Sequence, residues 1–262
     1  MTSAPTRAVA PATLIERAQR FVDLHAGSGT FAVPNPWDSG TAKLFAQLGF
    51  EALATTGAGH AFAVGRADGH TDPHEMLDHV ETIAAATTLP VSADLEDGFG
   101  PSPEAVAATI TAAAARGVVG GSIEDRHYRS DKVGTLFAIE HAAERIRAAA
   151  EAARALPIPF TLTARCECFL VGRPDLGETV RRLQAYQEAG ADVLYAPGLT
   201  TRDQICAVTS SVDRPVNVVM GLTPETFSLE ELAAMGVRRV SLGSTLSRVA
   251  LGAVIGAAEG DP

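Results

Sequence analysis

Carboxylates end two predicted strands that follow one another in the chain. Asp94 ends the third strand, with Glu96 just beyond it, and Glu124 ends the fourth. Because side chains alternate along a strand, Asp94 and Glu96 are expected on one face, and neighbouring strands bring Glu124 close to them. Clustered carboxylates repel unless a cation lies between them, and oxygen ligands without His or Cys favour Mg²⁺, with Mn²⁺ as the alternative. The competing interpretation of Asp94 and Glu96 is a helix cap or a solvated acidic loop.

The fifth predicted strand carries the counter-charge. Arg165 shares a face with Thr161, Thr163 and Glu167, so Cys166 falls on the other face. At the mouth of a site, this arginine is expected to bind a substrate carboxylate with two parallel hydrogen bonds. A second interpretation is that Arg165 only pairs with Glu124 or Glu167, and the two roles are compatible.

Small residues follow the second predicted strand, at Thr56, Gly57 and Ala58. Backbone N–H groups in such a segment can approach an anionic oxygen closely, as in an oxyanion hole. Taken alone, these small residues are weak evidence for a binding site, because glycine is common in loops. The acids and the arginine predicted at the same end of the sheet support the assignment.

Eight short apolar, β-branched runs alternate with helical patterns along the chain and position these residues. The predicted strands are 31–34, 52–55, 90–94, 118–124, 160–165, 193–196, 216–220 and 240–243, and an extra helix over 14–24 precedes them. Eight βα units in 262 residues predict an α/β fold, a (β/α)₈ TIM-type barrel with an extra N-terminal helix. The structural alternative is an open doubly wound sheet, but no Gly-x-Gly-x-x-Gly follows the first strand. A barrel places its working residues at the carboxyl ends of its strands, where the acids and Arg165 are found.

Local signals agree with these boundaries. Asp38 is positioned to cap the first barrel helix, and helical patterns stop at Gly49, Gly117, Gly190 and Gly236. The sequence shows no linker or composition break, so we expect one domain over 1–262, with a flexible tail over 1–10.

Composition excludes several classes of protein. The net charge is −10 and Lys and Arg do not cluster, so no nucleic-acid partner is expected. Three cysteines do not form a disulfide framework, which favours reduced thiols in the cytoplasm. No apolar stretch is long enough to span a membrane, so no membrane partner is expected.

Several spaced motifs together resemble the isocitrate lyase/phosphoenolpyruvate mutase superfamily, over about 31–251. Ala-Asp-Leu-Glu-Asp-Gly-Phe-Gly at 93–100 is similar to the family's Ala-Asp-x-Asp-x-Gly-Tyr-Gly, with Glu96 in place of an aspartate. Ile-Glu-Asp at 123–125 and Ala-Arg-Cys-Glu at 164–167 are similar to its Ile-Glu-Asp and Ala-Arg-Thr-Asp. The segments 35–42, 49–58 and 65–68 resemble the family stretches after the first and second strands.

The resemblance implies a site and its ligands. Asp94 would contact Mg²⁺ directly, and Asp68, Glu96 and Glu124 would act mostly through bound water. The family's binding positions correspond to residues expected to hold a small carboxylate substrate: Trp37, Thr56, Gly57, Ala58 and Arg165. Asp38 and Arg165 are expected to take part in catalysis. Relatives of this kind assemble as homo-oligomers, which predicts a dimer or tetramer, and the apolar pattern of 244–258 is compatible with exchange of the last helix.

The loop after the fourth strand departs from the family's branches. It contains neither the Lys-x-Cys-Gly-His of the lyases nor the Lys-x-Asn-Ser-like loop of the mutase and hydrolase branch. The remaining similarity implies cleavage of the substituent bond at C3 of an oxaloacetate-like 2-oxo acid, through a pyruvate enolate. The alternatives are an enzyme acting on a P–C bond and a catalytically silent barrel that binds metal or metabolite.

Two further assignments stay open at the level of sequence. His127 is the expected acid or base on the loop after the fourth strand, with Tyr128 and Lys132 as the other candidates, and each is also compatible with a solvated loop. Asn217, on the inner face of the seventh strand, is expected to bind substrate or to make a polar contact inside the barrel.

Overall fold

Eight parallel strands and ten helices alternate in the computed structural model, which describes residues 13–128, 134–222 and 225–260. The strands are β1 Phe31–Val33, β2 Leu53–Ala54, β3 Val91–Asp94, β4 Gly120–Glu124, β5 Thr161–Arg165, β6 Val193–Tyr195, β7 Val216–Val219 and β8 Arg239–Ser241. The helices are α1 Leu14–Ala26, α2 Ser39–Gln47, α3 Gly57–Ala63, α4 Pro73–Ala85, α5 Pro103–Ala115, α6 Ile139–Arg154, α7 Leu176–Ala189, α8 Arg202–Thr209, α9 Leu229–Ala234 and α10 Thr245–Glu259. The predicted tail over 1–10 lies outside the described residues.

The strands form one parallel sheet that curves into a nearly closed barrel. Their order is β1-β8-β7-β6-β5-β4-β3-β2. The two ends of this sheet are joined by a hydrogen bond of 3.1 Å from the Ala54 N–H to the Pro34 carbonyl. The predicted (β/α)₈ barrel with its extra N-terminal helix is confirmed, and an open sheet is not observed.

Helix starts follow the capping residues. Asp38 caps α2 by accepting a hydrogen bond from the Thr41 N–H, and Asp72 and Ser102 cap α4 and α5 with a proline in the first turn. One element was not predicted: α3 starts immediately after β2, where the sequence indicated only a glycine-rich loop. Its first turn contains Gly57 and Ala58, capped by the Thr56 hydroxyl.

Alanine-rich helices pack against the outside of the barrel, and α1 covers its amino-terminal end. Phe21 of α1 is fully buried and clusters with Val119, which precedes β4 at the amino-terminal end of the barrel. This closure leaves the carboxyl ends of the strands as the open face of the barrel. Within the described ranges, no helix combines the length and apolarity needed to cross a bilayer.

Candidate active site

Asp94 and Glu96 lie where β3 leaves the barrel. Asp94 accepts a hydrogen bond of 3.0 Å from the Gly57 N–H, and its own N–H donates to Thr55 Oγ1 at 2.8 Å. A Cβ on Gly57 would lie 3.4 Å from Asp94 Oδ2, so the first turn of α3 lies directly against this carboxylate. Glu96 has a left-handed backbone with φ of 49°, which ends the strand alternation, and its side chain is nevertheless buried in the same region.

Glu124 and Glu167 flank the guanidinium of Arg165. Arg165 Nε lies 3.0 Å from Glu124 Oε2 and also pairs with Glu167, and Arg165 Nη1 is 3.9 Å from Asp94 Oδ1. The register pairs Arg165 with Tyr195, and the guanidinium carbon lies 5.1 Å from the Tyr195 ring centroid. Arg165 is therefore paired with both glutamates, and it also lines the cavity described below, so its binding of a substrate carboxylate stays a prediction.

Electrostatics at this centre are dominated by excess negative charge. Burial raises the pKa of Glu124 well above its usual value, Arg165 opposes this, and Glu167 and Asp94 raise it further. Asp68 is exposed at the rim, but partial desolvation raises the pKa of its carboxyl, and Asp94 acts in the same direction. The carboxylates thus destabilise one another, as expected of a site that binds a cation.

The donor set fits a hydrated Mg²⁺. Glu124 is buried against Arg165, whose Nε lies 3.0 Å from its Oε2. Within residues 13–128, 134–222 and 225–260, no group of three or more His, Cys, Asp or Glu side chains is positioned to hold a metal ion by itself. Mg²⁺ is compatible with this arrangement, because it keeps several waters and needs only one or two direct carboxylates.

One cavity of about 530 Å³ opens at the carboxyl ends of the strands. Asp68, Asp94, Glu96 and Arg165 line it together with Thr56 and Ala58, while Glu124 lies beneath it against Arg165. The structure therefore brings together most of the residues predicted for substrate and metal. Gly57 is adjacent, and its N–H is occupied by Asp94 rather than directed at the cavity.

Besides Gly57 and Glu124, four predicted residues do not line this cavity. Trp37 packs edge-on against Phe45, with 6.5 Å between ring centroids, and the exposed Asp38 caps α2. The His127 ring lies 3.6 Å from that of Phe137. Asn217 lines a smaller cavity of about 60 Å³ inside the barrel and accepts a hydrogen bond from Arg239 Nε at 2.8 Å. The polar contact that the sequence allowed for Asn217 is present.

Two cavity residues carry chemistry that the sequence did not assign to the site, and a third was among its candidates. Tyr195 faces inward by simple strand alternation and was overlooked. Arg248, on α10, had no local signal, because only the fold brings the last helix to the cavity. Tyr128, one of the three candidates on the loop after β4, lines the cavity, whereas Lys132 lies outside the described residues.

A buried network behind β4 and β5 fixes the backbone of the site. Asp125 accepts hydrogen bonds from the Glu167 N–H at 2.8 Å, from Arg182 Nη1 at 3.0 Å and from the Tyr186 hydroxyl at 2.5 Å. Since Arg182 and Tyr186 belong to α7, the network ties that helix to the strand ends carrying Glu124 and Glu167. Asp125 thus supports the site without lining the cavity.

Asp125→Asn is expected to lower the free energy of unfolding by about 2 kcal/mol, because buried Arg182 would keep only Glu178 as a charged partner and the Tyr186 hydroxyl would lose a charged acceptor. Urea unfolding followed by circular dichroism measures the change, with Asp203→Asn on the surface of α8 as control. A loss below about 1 kcal/mol would show that the network is not structurally important.

Most of this chain is similar in sequence to known proteins. The family model described as phosphoenolpyruvate phosphomutase matches residues 21–260. The chain is 32% identical to 2-methylisocitrate lyase of Shewanella oneidensis, over 84% of this chain and 77% of that protein. It is 29% identical to oxaloacetate decarboxylase of Chromohalobacter salexigens, over 85% of this chain and 77% of that one.

Solved structures show the same similarity in three dimensions. A candidate lyase/mutase from Burkholderia cenocepacia J2315 superposes with a TM-score of 0.91 at 57% identity, covering 94% of this chain and 88% of that one. Phosphonopyruvate hydrolase in complex with oxalate and Mg²⁺ superposes with a TM-score of 0.82 at 28% identity, covering 91% and 84%.

Proposed function

Because the chain belongs to the phosphoenolpyruvate phosphomutase family, we propose that it is a Mg²⁺-dependent enzyme of the lyase type. Its proposed reaction cleaves the substituent bond at C3 of a small 2-oxo acid such as oxaloacetate. The observation that carries this proposal is the convergence of Asp68, Asp94, Glu96 and Arg165 on one cavity. Relatives described as oxaloacetate decarboxylase and 2-methylisocitrate lyase support the same class of reaction.

In this proposal Asp94 holds Mg²⁺ directly, and Asp68, Glu96 and Glu124 hold its waters. When bound, the ion supplies a Lewis acid that withdraws electrons from the 2-oxo acid. The phosphonopyruvate hydrolase complex with oxalate and Mg²⁺ supports this choice of ion and of ligand class. Glu124 also keeps Arg165 in place, at 3.0 Å from its Nε.

Arg165 and Arg248 are proposed to bind the two anionic ends of the substrate. Arg165 is held by Glu124 and Glu167 and lines the cavity. Arg248 is oriented by a hydrogen bond of 2.9 Å from its Nε to Ser244 Oγ, and its guanidinium carbon lies 4.9 Å from the Phe62 ring centroid. Two cations lining one cavity favour a substrate with two anionic groups.

The bond change follows from this arrangement. Decarboxylation of oxaloacetate breaks the bond from C3 to its carboxylate, releases CO₂ and leaves the electron pair as the pyruvate enolate. Thr56 and Ala58, at the first turn of α3, lie on the wall proposed to face the enolate oxygen. Protonation at C3 then gives pyruvate.

Tyr128 is the proposed proton donor. Burial raises the pKa of its hydroxyl, and the charge of Glu124 acts in the same direction, so the group stays protonated. Its position is defined by a hydrogen bond of 3.2 Å from its N–H to Asp97 and by Gly69, where a Cβ would lie 2.7 Å from the ring. The alternative donor, His127, packs on Phe137 instead.

Tyr128→Phe is expected to lower kcat for oxaloacetate about 100-fold with KM nearly unchanged, because the ring remains and only the proton is lost. Gly69→Ala should have a similar effect by displacing the ring. Gly49→Ala, after α2, is the matched control, since Gly49 also has a positive φ but a Cβ there meets nothing within 4 Å. If His127→Ala reduced kcat more than Tyr128→Phe, the donor would be His127.

We also propose that the chain forms a homo-oligomer, a dimer or a tetramer, through contacts of α10. Val249, Val254 and Ile255 are each more than half exposed on this helix, and adjacent apolar side chains of this kind are typical of an interface. Light scattering after gel filtration is expected to give a dimer or tetramer for the wild type and a smaller species for Val254→Asp. A monomeric wild type would contradict the proposal, and Leu44→Asp on exposed α2 is the control.

Steady-state assays with oxaloacetate and phosphonopyruvate test the reaction itself. The proposal expects Mg²⁺-dependent pyruvate from oxaloacetate. Release of phosphate from phosphonopyruvate instead would assign the enzyme to P–C chemistry. Binding of Mg²⁺ without turnover of any 2-oxo or 2-hydroxy acid tested would favour a silent barrel.

A further inference from the structure

A second arginine lies inside the barrel, at the amino-terminal end of β8. Arg239 is the first residue of this strand and is only 5% exposed. Its register partner on β7 is Asn217, and Ser241 follows two residues later on the same face of β8. Burial lowers the pKa of Arg239 to about 10, so the guanidinium stays charged at neutral pH. The interior of the barrel therefore holds a positive charge that is separate from Arg165.

The groups that accept hydrogen bonds from this guanidinium are all side chains without negative charge. Arg239 donates from Nε to Asn217 Oδ1 at 2.8 Å and from Nη2 to Thr163 Oγ1 at 3.0 Å. Its Nη1 lies 3.4 Å from His25 Nε2. Among the residues that the structure describes, no carboxylate forms an ion pair with Arg239.

His25 is neutral and serves only as an acceptor. Its Nδ1 lies 2.7 Å from the Phe21 carbonyl oxygen and therefore carries the proton, which leaves Nε2 to accept from Arg239. Burial, together with the charge of Arg239, lowers the pKa of His25 to about 3. Charged side chains are rarely fully buried unless they are paired, because a buried cation without an anion is costly. Arg239 thus lacks the partner that its burial requires.

The guanidinium lines a polar cavity that has room for such a partner. This inner cavity has a volume of about 60 Å³, and serine hydroxyls from three strands line it together with Arg239: Ser92, Ser122 and Ser241. A water molecule takes about 30 Å³ of liquid, so the cavity accommodates about two particles of that size and excludes a dicarboxylate. A guanidinium has more N–H donors than three acceptors occupy, and hydroxyls rotate to donate. The inner cavity is therefore suited to a monatomic anion.

The other charged groups around the inner cavity already have partners. Among the described residues, Asp94 is the one carboxylate that lines it, and Asp94 accepts from the Gly57 N–H and lies 3.9 Å from Arg165. Arg165 also lines it and is paired with Glu124 and Glu167. Arg239 is thus the charged group at this cavity that has no opposite charge beside it.

We propose that the inner cavity binds a small monovalent anion, chloride in ordinary buffers, against the guanidinium of Arg239. Arg239 supplies the charge, and Ser92, Ser122 and Ser241 supply hydroxyl donors. The site lies deeper in the barrel than the substrate cavity, with which it shares the wall formed by Asp94 and Arg165. The anion stabilises the barrel interior, and its binding does not depend on the proposed reaction.

Crystals of the wild type soaked in sodium bromide test the site directly. Diffraction at the bromine absorption edge is expected to give an anomalous peak in the inner cavity, within hydrogen-bond distance of the Arg239 guanidinium. Arg239→Met, which keeps an unbranched side chain without its charge, should give no peak there. Absence of the peak in the wild type would overturn the proposal. A peak of equal height in Arg239→Met would do the same, because Arg239 would then not hold the ion.

Thermal unfolding in solution distinguishes a resident anion from an adventitious ion only. With chloride replacing gluconate at constant ionic strength, a Kd of about 10 mM predicts a saturating rise of Tm of about 5 °C by about 0.5 M chloride. Arg239→Met should lose this rise. Arg181→Met on the exposed face of α7 should keep it, and so should Arg248→Met, which excludes binding in the substrate cavity as its cause.

Two results in solution would contradict the anion site. A Tm of the wild type that does not depend on chloride would identify a bromide peak as an adventitious ion only. An equal rise in Arg239→Met would place the stabilising anion elsewhere in the chain. If Arg239→Met does not fold, the wild-type bromide map and the wild-type chloride titration decide the question by themselves.

Discussion

Replacing Arg165 with lysine is expected to lower kcat/KM for oxaloacetate by about 100-fold or more. Lysine keeps the positive charge near Glu124 and Glu167, but it cannot form two parallel hydrogen bonds with a carboxylate. Loss of a buried, charge-assisted contact of this kind costs about 2–5 kcal/mol, and each 1.36 kcal/mol corresponds to tenfold in rate. Steady-state kinetics measures the effect.

Arg165→Gln tests how far the charge of Arg165 stabilises the fold. It removes the charge between two buried glutamates, so both activity and the free energy of unfolding should fall, the latter by about 3 kcal/mol. Arg181→Gln, on the exposed face of α7, is the control for loss of an arginine. If Arg165→Lys retained kcat/KM within about threefold, Arg165 would serve only to neutralise Glu124 and Glu167.

Replacing Asp94 with asparagine is expected to give the largest loss of activity. Mutation of a residue that only supports the direct ligands of a metal typically lowers metal affinity 10- to 100-fold. Mutation of a direct ligand should therefore raise the Kd for Mg²⁺ by at least about 100-fold. The loss of Lewis-acid stabilisation, several kcal/mol, should lower kcat by about 1000-fold. Asparagine retains the size of the side chain and an oxygen acceptor for the Gly57 N–H.

Mn²⁺ binding followed by electron paramagnetic resonance measures the metal site without any assay of activity. Free Mn²⁺ gives a signal that is lost on binding, and the wild type should bind one equivalent. Asp203→Asn, in the first turn of α8, should behave as the wild type. If Asp94→Asn bound Mn²⁺ as tightly as the wild type, the metal would have to lie elsewhere in the chain.

The sequence was sufficient for the barrel because its signals are local. Most strands lie in short apolar runs, and most helices start at a capping residue such as Asp38 or end near a glycine such as Gly190. The charged residues of the site could be predicted for a related reason. In a parallel barrel, residues at the carboxyl ends of consecutive strands meet whatever the connecting helices contain, so Asp94, Glu124 and Arg165 at the ends of β3, β4 and β5 had to be close.

Contacts that depend on the path of a loop could not be predicted. The bond from the Gly57 N–H to Asp94 requires α3, a seven-residue helix in a segment whose sequence indicates a loop. The placement of Tyr128 in the cavity and of His127 outside it depends on how the chain turns back after β4. Arg248 is remote in sequence from the other site residues, so only the closed barrel brings it to the cavity.

The central claim is that a Mg²⁺ site at Asp94 supports cleavage at C3 of a 2-oxo acid. NMR of oxaloacetate incubated with the protein, with and without Mg²⁺ and with the spontaneous reaction subtracted, tests it most directly. We expect Mg²⁺-dependent formation of pyruvate by the wild type, lost in Asp94→Asn and retained in Asp203→Asn. Pyruvate formed equally by the wild type and Asp94→Asn, or no enzymatic pyruvate from folded, metal-loaded protein, would contradict the claim.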